Sequence, residues 1–157
     1  LFMDFLILAV GKGRATLENK LAHIWLTRLP GGGKIIEVTS NLPAGPKKIA
    51  DEGNKLLQCV PEGSSLAVLD PNGTDHSSED FAELIGRWQN DRYKTACFVI
   101  GGAEGHCKSI FNHADTIISF GKATWPHMLF RAMLAEQLYR ANKILDGHPY
   151  HRKKCYL

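Results

Sequence analysis

The chain has 157 residues, 44% of them hydrophobic and 22% charged, which is typical of one globular domain with a single core. This composition excludes an intrinsically disordered chain and a fibrous repeat. The longest uncharged apolar run, residues 5–10, has six residues, whereas a transmembrane helix needs about 20. Residues 1–10 contain Asp4 and no basic residue, unlike a signal peptide, so we expect a cytoplasmic protein without a membrane span.

The net charge of +3 is distributed unevenly along the chain. Residues 1–121 contain 12 basic and 14 acidic residues, whereas residues 122–157 contain seven basic and two acidic residues. Such an asymmetry indicates an anionic partner at the C-terminal end, although a solvated basic tail explains it equally well.

Apolar runs and amphipathic periods alternate along the chain and predict strands and helices in turn. In chain order they are strand 3–10, helix 14–29, strand 34–39, helix 47–60, strand 65–69, helix 77–89, strand 95–100, helix 106–113, strand 116–120 and helix 126–145. A turn at 70–73 is expected to end the third strand. In the first helix, Leu17, Leu21, Ile24 and Leu29 form one apolar stripe. The alternation predicts one α/β domain, residues 1–157, whose mainly parallel sheet is covered by helices.

Gly11 and Gly13 follow the first predicted strand and begin like the dinucleotide-binding fingerprint Gly-x-Gly-x-x-Gly, but Thr16 stands at the sixth position. The acid that should meet a ribose about 20 positions further on would be Glu37, which lies inside the second strand. A tight strand–helix turn explains these glycines equally well.

Two further glycine-containing loops follow neighbouring strands. Residues 101–105 read Gly-Gly-Ala-Glu-Gly, more glycine than a turn requires, and residues 119–127 enter the last helix through Pro126. Glycine lets a ligand approach the backbone closely, and open α/β sheets bind ligands at the carboxyl ends of their strands. The two loops are therefore predicted to enclose one small ligand.

The last helix is apolar around most of its circumference between residues 128 and 145. Such a helix is buried on both sides, and in so small a chain one side is expected to face a second subunit. Glu136 and Arg140 are four residues apart, a spacing that favours an ordinary ion pair.

The tail at 148–154 reads His-Pro-Tyr-His-Arg-Lys-Lys. Its cations suit phosphates, the ring of Tyr150 suits stacking on a base, and its histidines transfer protons near neutral pH. The tail therefore indicates RNA binding, with a frayed terminus as the alternative.

Cys59, Cys97, Cys107 and Cys155 lack the close spacing of zinc ligands. We therefore expect neither a metal site nor a disulfide. Cys97 lies in an apolar run and is predicted to be a small buried residue.

Five short segments, in their order and spacing, carry a family resemblance. They are Leu-Ala-Val-Gly-Lys at 8–12, Val-Ile-Gly-Gly-Ala-Glu-Gly at 99–105, Thr-Trp-Pro-His at 124–127, Glu-Gln-Leu-Tyr-Arg-Ala at 136–141 and His-Pro-Tyr-His at 148–151. Together they resemble the ribosomal RNA large subunit methyltransferase H family. The resemblance implies a SPOUT-class α/β fold with a deep C-terminal trefoil knot, a homodimer, and methyl transfer from S-adenosylmethionine to N3 of a pseudouridine in the 23S rRNA of the assembled ribosome.

The resemblance also implies which residues form the site. The residues expected to hold the cofactor are Leu69, Gly101, Gly102, Phe120, Gly121, Lys122, Ala123, Thr124 and Trp125. Those expected to bind RNA are Arg131, His148 and Arg152. Arg140 is expected to stabilise a developing imide anion, His151 to act as the base and Tyr150 to stack on a nucleotide. Ala103, where relatives often have Pro or Ser, and the extension at 153–157 depart from the family pattern.

Two other functions remain open from the residues alone. One is a Rossmann-like dinucleotide-binding oxidoreductase that uses Gly11 and Gly13. The other is a non-catalytic RNA-binding subunit.

Overall fold

The chain is built around a five-stranded sheet, as seen in a computed structural model that describes residues 2–152. Its elements are β1 (Asp4–Val10), α1 (Leu17–Thr27), β2 (Gly33–Val38), α2 (Pro46–Gln58), β3 (Ser64–Asp75), α3 (Ser78–Asn90), β4 (Thr95–Ile100), α4 (Lys108–His113), β5 (Thr116–Ser119) and α5 (His127–Leu145). The strands are all parallel, in the order β2-β1-β4-β3-β5. The predicted parallel α/β fold is confirmed, whereas the trefoil knot stays a prediction. No helix in this part of the chain is long and apolar enough to cross a membrane.

Helices cover both faces of the sheet because successive side chains of each strand point to opposite sides. In β4, Ala96, Phe98 and Ile100 join the apolar layer under α1, α3 and α5, while Cys97 and Val99 join the layer under α2 and α4. Burying each large apolar side chain contributes about 1.5–3 kcal/mol. Cys97 is fully buried, as predicted, and burial raises the pKa of its thiol to about 11.

Three of the four residues of the predicted apolar stripe face outward, whereas amphipathic helices usually bury such a stripe. The fourth, Leu29, is buried beyond the end of α1. Leu17, Leu21 and Ile24 are 79%, 42% and 47% exposed, while Ala22 and Leu26 make the buried face of the helix. The chain therefore leaves an apolar helix face uncovered.

The helix α1 also begins later than the predicted residue 14. Thr16 is its N-cap, and the Thr16 hydroxyl accepts a hydrogen bond from the backbone N–H of Asn19 at 3.2 Å. The residues between β1 and this cap form a loop, so the glycines after β1 lie outside the helix.

The predicted turn at 70–73 is a bulge within β3. Leu69 and Thr74 both pair with Ile118 of β5, so residues 70–73 leave the ladder and the strand then resumes. A Cβ at Gly73 would lie 2.7 Å from the backbone of Ile117, an approach that only glycine tolerates. The turn residues lie where predicted, but they bend a continuing strand because β5 pairs with it on both sides of the bulge.

Candidate functional site

The bulge of β3 and the carboxyl ends of β4 and β5 surround a cavity of about 290 Å³. Residues from four segments line it: 69–71 at the bulge of β3, most of 100–106 at the end of β4 and after it, most of 120–125 after β5, and the start of α5. Because the strands are parallel, the loops after them meet at one edge of the sheet, where open α/β folds bind ligands. The two predicted glycine loops therefore share a single cavity.

Every residue predicted to hold the cofactor lines this cavity, except Lys122. The lining set includes Leu69, Gly101, Gly102, Phe120, Gly121, Ala123, Thr124 and Trp125. Sequence reasoning missed further lining residues, among them Asp70, His106 and Phe130. Asp70 lies in a segment that its residues indicate as a turn. His106 directly follows the glycine loop, and this position could have indicated it. That these residues contact a cofactor stays a prediction.

The loop after β5 is held in shape by its own polar groups. The Ser119 hydroxyl accepts a hydrogen bond from Gly121 N at 3.0 Å and donates one to Gly121 O at 3.1 Å. Gly121 has a φ of +92°, which favours glycine, and Trp125 Nε1 donates to Phe120 O at 3.3 Å. This wall is preorganised, so ligand binding would not bear the cost of ordering it.

Two glycines after β4 pack closely against other side chains of the protein. A Cβ at Gly101 would lie 2.9 Å from the ring of His106, and a Cβ at Gly102 would lie 3.2 Å from Val10. His106 Nε2 donates a hydrogen bond to the carbonyl of Leu69 at 3.2 Å. Burial lowers the pKa of His106, so its ring is neutral at neutral pH. Gly101 therefore shapes the cavity by making room for His106.

The glycine loop after β1 is filled by an ion pair. Arg131 of α5 has no exposed surface, and its Nη1 lies 2.8 Å from Glu37 Oε2 of β2. Its Nη2 donates to the carbonyls of Val10 and Gly11 at 3.2 and 3.0 Å, and Gly13 N donates to the same Glu37 carboxylate. Partial burial raises the pKa of Glu37, but the hydrogen bonds from Arg131 and Gly13 outweigh it and hold the pKa below its ordinary value.

This ion pair corrects the assignment of Arg131 as an RNA contact. The guanidinium is fully buried and bonded within the chain, so it is not available to a phosphate. A signal was present in the sequence, because Arg131 lies on the same helical stripe as Leu134 and Leu138, which are buried. The pair also removes Glu37 from any ribose, so the dinucleotide-binding alternative lacks the acid it needs.

A second cavity, of about 500 Å³, adjoins the first through Phe120 and Gly121, which line both. Trp25 and Phe81 provide aromatic walls, and Glu136 of α5 also lines it. The two cavities are therefore neighbours, one at the glycine loops and the other beside α5.

Glu136 joins the predicted catalytic residues to this second cavity. Its carboxylate lies 2.5 Å from Arg140 Nη2 and accepts a hydrogen bond from the Tyr150 hydroxyl at 2.9 Å. The Arg140 guanidinium lies over the ring of Tyr150, 5.0 Å from its centre. The hydrogen bond to Glu136 raises the pKa of Arg140, while burial and then the same carboxylate raise the pKa of Tyr150. The expected Glu136–Arg140 ion pair is present, but sequence reasoning missed that Glu136 also holds the tail.

His151 lies between the same arginine and a carboxylate of α3. Its Nδ1 is 3.2 Å from Arg140 Nη1, and its Nε2 is 2.9 Å from Glu79 Oε1. A guanidinium N–H only donates, so Nδ1 accepts, and the ring proton sits on Nε2, which donates to Glu79. The three predicted catalytic residues are therefore in mutual contact, with their polar atoms engaged inside the chain.

The remaining predicted RNA contacts lie at the surface of the tail. His148 and Arg152 are exposed, and His148 Nδ1 accepts a hydrogen bond from Tyr150 N at 3.1 Å. The predicted basic residues Lys153 and Lys154 lie outside the described residues. Within residues 2–152, no group of three His, Cys, Asp or Glu side chains is placed to hold a metal ion.

Comparison with known proteins bears on the whole chain. A profile of the family described as predicted SPOUT methyltransferase matches residues 3–151. A relative from Paramagnetospirillum magneticum named ribosomal RNA large subunit methyltransferase H is 46% identical over 151 residues, covering 96% of this chain and 99% of the relative. A relative of the same name from Rhodopseudomonas palustris is 40% identical over 159 residues, with the same coverage of 96% and 99%.

Two solved structures share the fold. A probable methyltransferase from Bordetella pertussis has a TM-score of 0.54 at 16% identity, over 88% of this chain and 95% of that one. A probable methylase family protein from Haemophilus influenzae has a TM-score of 0.57 at 10% identity, over 98% and 72%. At such low identity these two structures show likeness of fold alone. The profile match over residues 3–151, with relatives of 46% and 40% identity, shows that the chain belongs to the SPOUT methyltransferase family.

Proposed function

We propose that the chain is an S-adenosylmethionine-dependent methyltransferase of the cytoplasm that modifies N3 of a pseudouridine in 23S rRNA. Its family is one of methyltransferases, and its relatives are named for large-subunit ribosomal RNA. The observation that carries the proposal is the pair of adjoining cavities. The predicted cofactor residues other than Lys122 line the first cavity, and Phe120 and Gly121 line both. Glu136 lines the second cavity and contacts Arg140 and Tyr150. A cofactor and an acceptor base would meet at that shared wall.

The first cavity has the chemistry that this cofactor needs. The rings of Phe120, Trp125 and Phe130 offer apolar faces to an adenine, and Asp70 is a carboxylate that attracts cationic groups. Among the described residues, no Lys or Arg lines the cavity. When bound, S-adenosylmethionine supplies an electrophilic methyl group on a sulfonium sulfur.

The second cavity is the place for the target nucleotide. Trp25 and Phe81 offer ring faces on which an unstacked base can lie. N3 of the imide has to lose its proton and lie in line with the methyl carbon, so positioning is the main contribution of the protein. Arg140, which pairs with Glu136 in this structure, would turn toward the bound nucleotide and stabilise the developing imide anion.

The tail supplies the base and the RNA contacts in this proposal. In the absence of RNA, Arg140 Nη1 donates a hydrogen bond to the lone pair on Nδ1 of His151. When the Arg140 side chain turns to the RNA, Nδ1 becomes free to take the N3 proton. Tyr150 then stacks on a nucleotide, while His148 and Arg152 contact phosphates.

A second copy of this chain covers the exposed stripe of α1. Leu21 of the stripe and Leu129 of α5 are both exposed and both line the second cavity, so the apolar surface continues from one helix to the other. Contiguous apolar surface marks an interaction site. A homodimer would place the partner at the rim of the acceptor cavity. Sedimentation that finds a folded monomer at micromolar concentration would contradict this assembly.

The deciding experiment is methyl transfer from radiolabelled S-adenosylmethionine to ribosomes that lack the modification. We expect label at N3 of one pseudouridine in the large-subunit rRNA. Calorimetric titration of the same protein should show binding of S-adenosylmethionine and none of NADH. Ribosome binding without transfer would favour the non-catalytic RNA-binding subunit, and binding of NADH alone would favour the oxidoreductase.

A further inference from the structure

A carboxylate outside the family motifs reaches the predicted base. Glu79 lies in the first turn of α3, and its Oε1 is 2.9 Å from Nε2 of His151, 72 positions away in the sequence. Ser77 and Asp80 already form the capping box of this helix, so α3 does not need Glu79 as a cap. The N-terminal end of a helix favours a negative charge, which suits a carboxylate at this place.

The contacts of His151 determine which ring nitrogen can accept a proton. Glu79 binds the N–H on Nε2, so Nδ1 alone carries a lone pair. That lone pair meets Arg140 Nη1 at 3.2 Å. Departure of Arg140 would expose one specific nitrogen, while the carboxylate of Glu79 would keep the ring in place.

We propose that Glu79 is a positioning residue for methyl transfer, which holds His151 in the Nε2–H tautomer so that Nδ1 accepts the N3 proton. The inference rests on the proposed function, because it takes His151 as the base. In this step the N3–H bond breaks, its electron pair stays on N3, and the proton joins the Nδ1 lone pair. The resulting imidazolium is paired with the Glu79 carboxylate.

Charged and titratable groups face His151 from each element around it. The helix α3 contributes Glu79, α5 contributes Arg140 and, one contact further, Glu136, and the tail contributes Tyr150. The two carboxylates favour a cationic ring and the guanidinium disfavours it. Removing the charge of Glu79 therefore makes protonation of the ring harder, and the acid limb of the pH–rate profile moves to lower pH.

Two variants of the full chain, Glu79→Gln and Glu79→Ala, separate the hydrogen bond from the charge. ¹⁵N NMR of histidine-labelled protein reports the ring tautomer, with His151→Asn to assign its signals. Because Arg140 also favours this tautomer through Nδ1, the variants are compared in an Arg140→Ala background. There we expect the Nε2–H tautomer with Glu79 and with Glu79→Gln, whose amide oxygen still accepts, and a mixture of tautomers with Glu79→Ala. The acid limb should move to lower pH in Glu79→Gln, and the maximal rate should fall at least about tenfold.

Glu83→Gln is the matched control, because Glu83 is exposed on the next turn of α3 and the change removes the same charge. It should leave the tautomer and the pH–rate profile as in the wild type. Equal rate losses in both Glu79 variants with an unmoved acid limb would indicate a merely structural role and overturn the inference. The Nε2–H tautomer alone in the double variant Arg140→Ala, Glu79→Ala would overturn it as well. A wild type that transfers no methyl group would overturn the proposed function instead, and the NMR spectra would still show whether Glu79 sets the tautomer.

Discussion

The loop after β1 and the loop after β4 both carry glycines at the carboxyl edge of the sheet, yet they differ in what lies against them. At 11–13, Arg131 and Glu37 fill the space over the loop with a buried guanidinium and its carboxylate. At 101–105, His106 packs below the loop and a cavity of about 290 Å³ lies open beside it. Glycine content does not separate the two loops. The difference comes from Arg131 of α5, which packs against the first loop only. The chemistry of such a loop therefore depends on a distant part of the chain.

The change with the largest expected effect removes the side chain that fills the space over the first loop. Arg131→Met should lower the free energy of unfolding by about 3 kcal/mol, at the low end for a broken buried ion pair because Glu37 is partly exposed. Urea unfolding measures the change. Arg152→Ala, which removes an exposed cation of the tail, should stay within about 0.5 kcal/mol of the wild type. Equal effects of the two changes would mean that the first loop does not depend on Arg131.

A second change fills the space beside the open loop. Gly101→Ala places a Cβ 2.9 Å from the His106 ring, so we expect a loss of about 1–3 kcal/mol of stability and weaker binding of S-adenosylmethionine. Calorimetry and urea unfolding measure the two effects. The double variant Gly101→Ala, His106→Ala restores room and should recover part of the stability. No recovery would show that His106 is not the neighbour that requires glycine here.

A third change tests how far the open site extends into the tail. Tyr150→Ala should weaken RNA binding by about 1–3 kcal/mol if its ring carries a nucleotide. Tyr150→Phe keeps the ring and loses only the hydrogen bond to Glu136, so its effect on RNA binding should be smaller. Affinity for S-adenosylmethionine should be unchanged in both. A loss of cofactor affinity in Tyr150→Ala would place the tail over the first cavity.

The smallest expected effect is a pH dependence of stability that arises at the open loop. The pKa of His106 is lowered by burial, so the unfolded chain takes up a proton before the folded chain does. The free energy of unfolding should therefore fall as the pH falls below the ordinary value of 6.5. His106→Leu should flatten this dependence, because it removes the group whose pKa is lowered by burial, whereas His148→Asn at the exposed tail should leave it unchanged. An unchanged slope in His106→Leu would contradict a buried neutral ring.

Much of the fold could be predicted because periodicity reports which residues are apolar and how they are spaced. Periodicity does not show whether an apolar helix face is buried by other elements of the chain. The exposed position of Leu17, Leu21 and Ile24 could therefore not be predicted from their spacing. The bulge in β3 depends on a partner strand about 45 residues later, which turn residues cannot reveal. Glu79 and His151 meet only after α3 and the tail have packed against α5.

The glycine loops and the tail could be identified as candidate binding segments from the sequence. Few residue types allow a close approach to the backbone or combine cations with a ring that stacks on a base. The assignment of Arg131 failed for the opposite reason, since an arginine serves a phosphate and a buried carboxylate equally well. Only its place on the stripe of Leu134 and Leu138 separates the two uses.

The sheet order also has a consequence for how the chain is made. The first strand, β1, lies between β2 and β4, and its residue Asp4 pairs with Thr95 and Ala9 with Ile100. The edge of β1 that pairs with β4 therefore stays unpaired until synthesis has passed residue 100. Pairing over such a distance is slow, because a long intervening loop has to close first. Chains interrupted before β4 would present an apolar strand edge and aggregate, whereas completed chains should refold from denaturant on the slow side of the range for domains of this size.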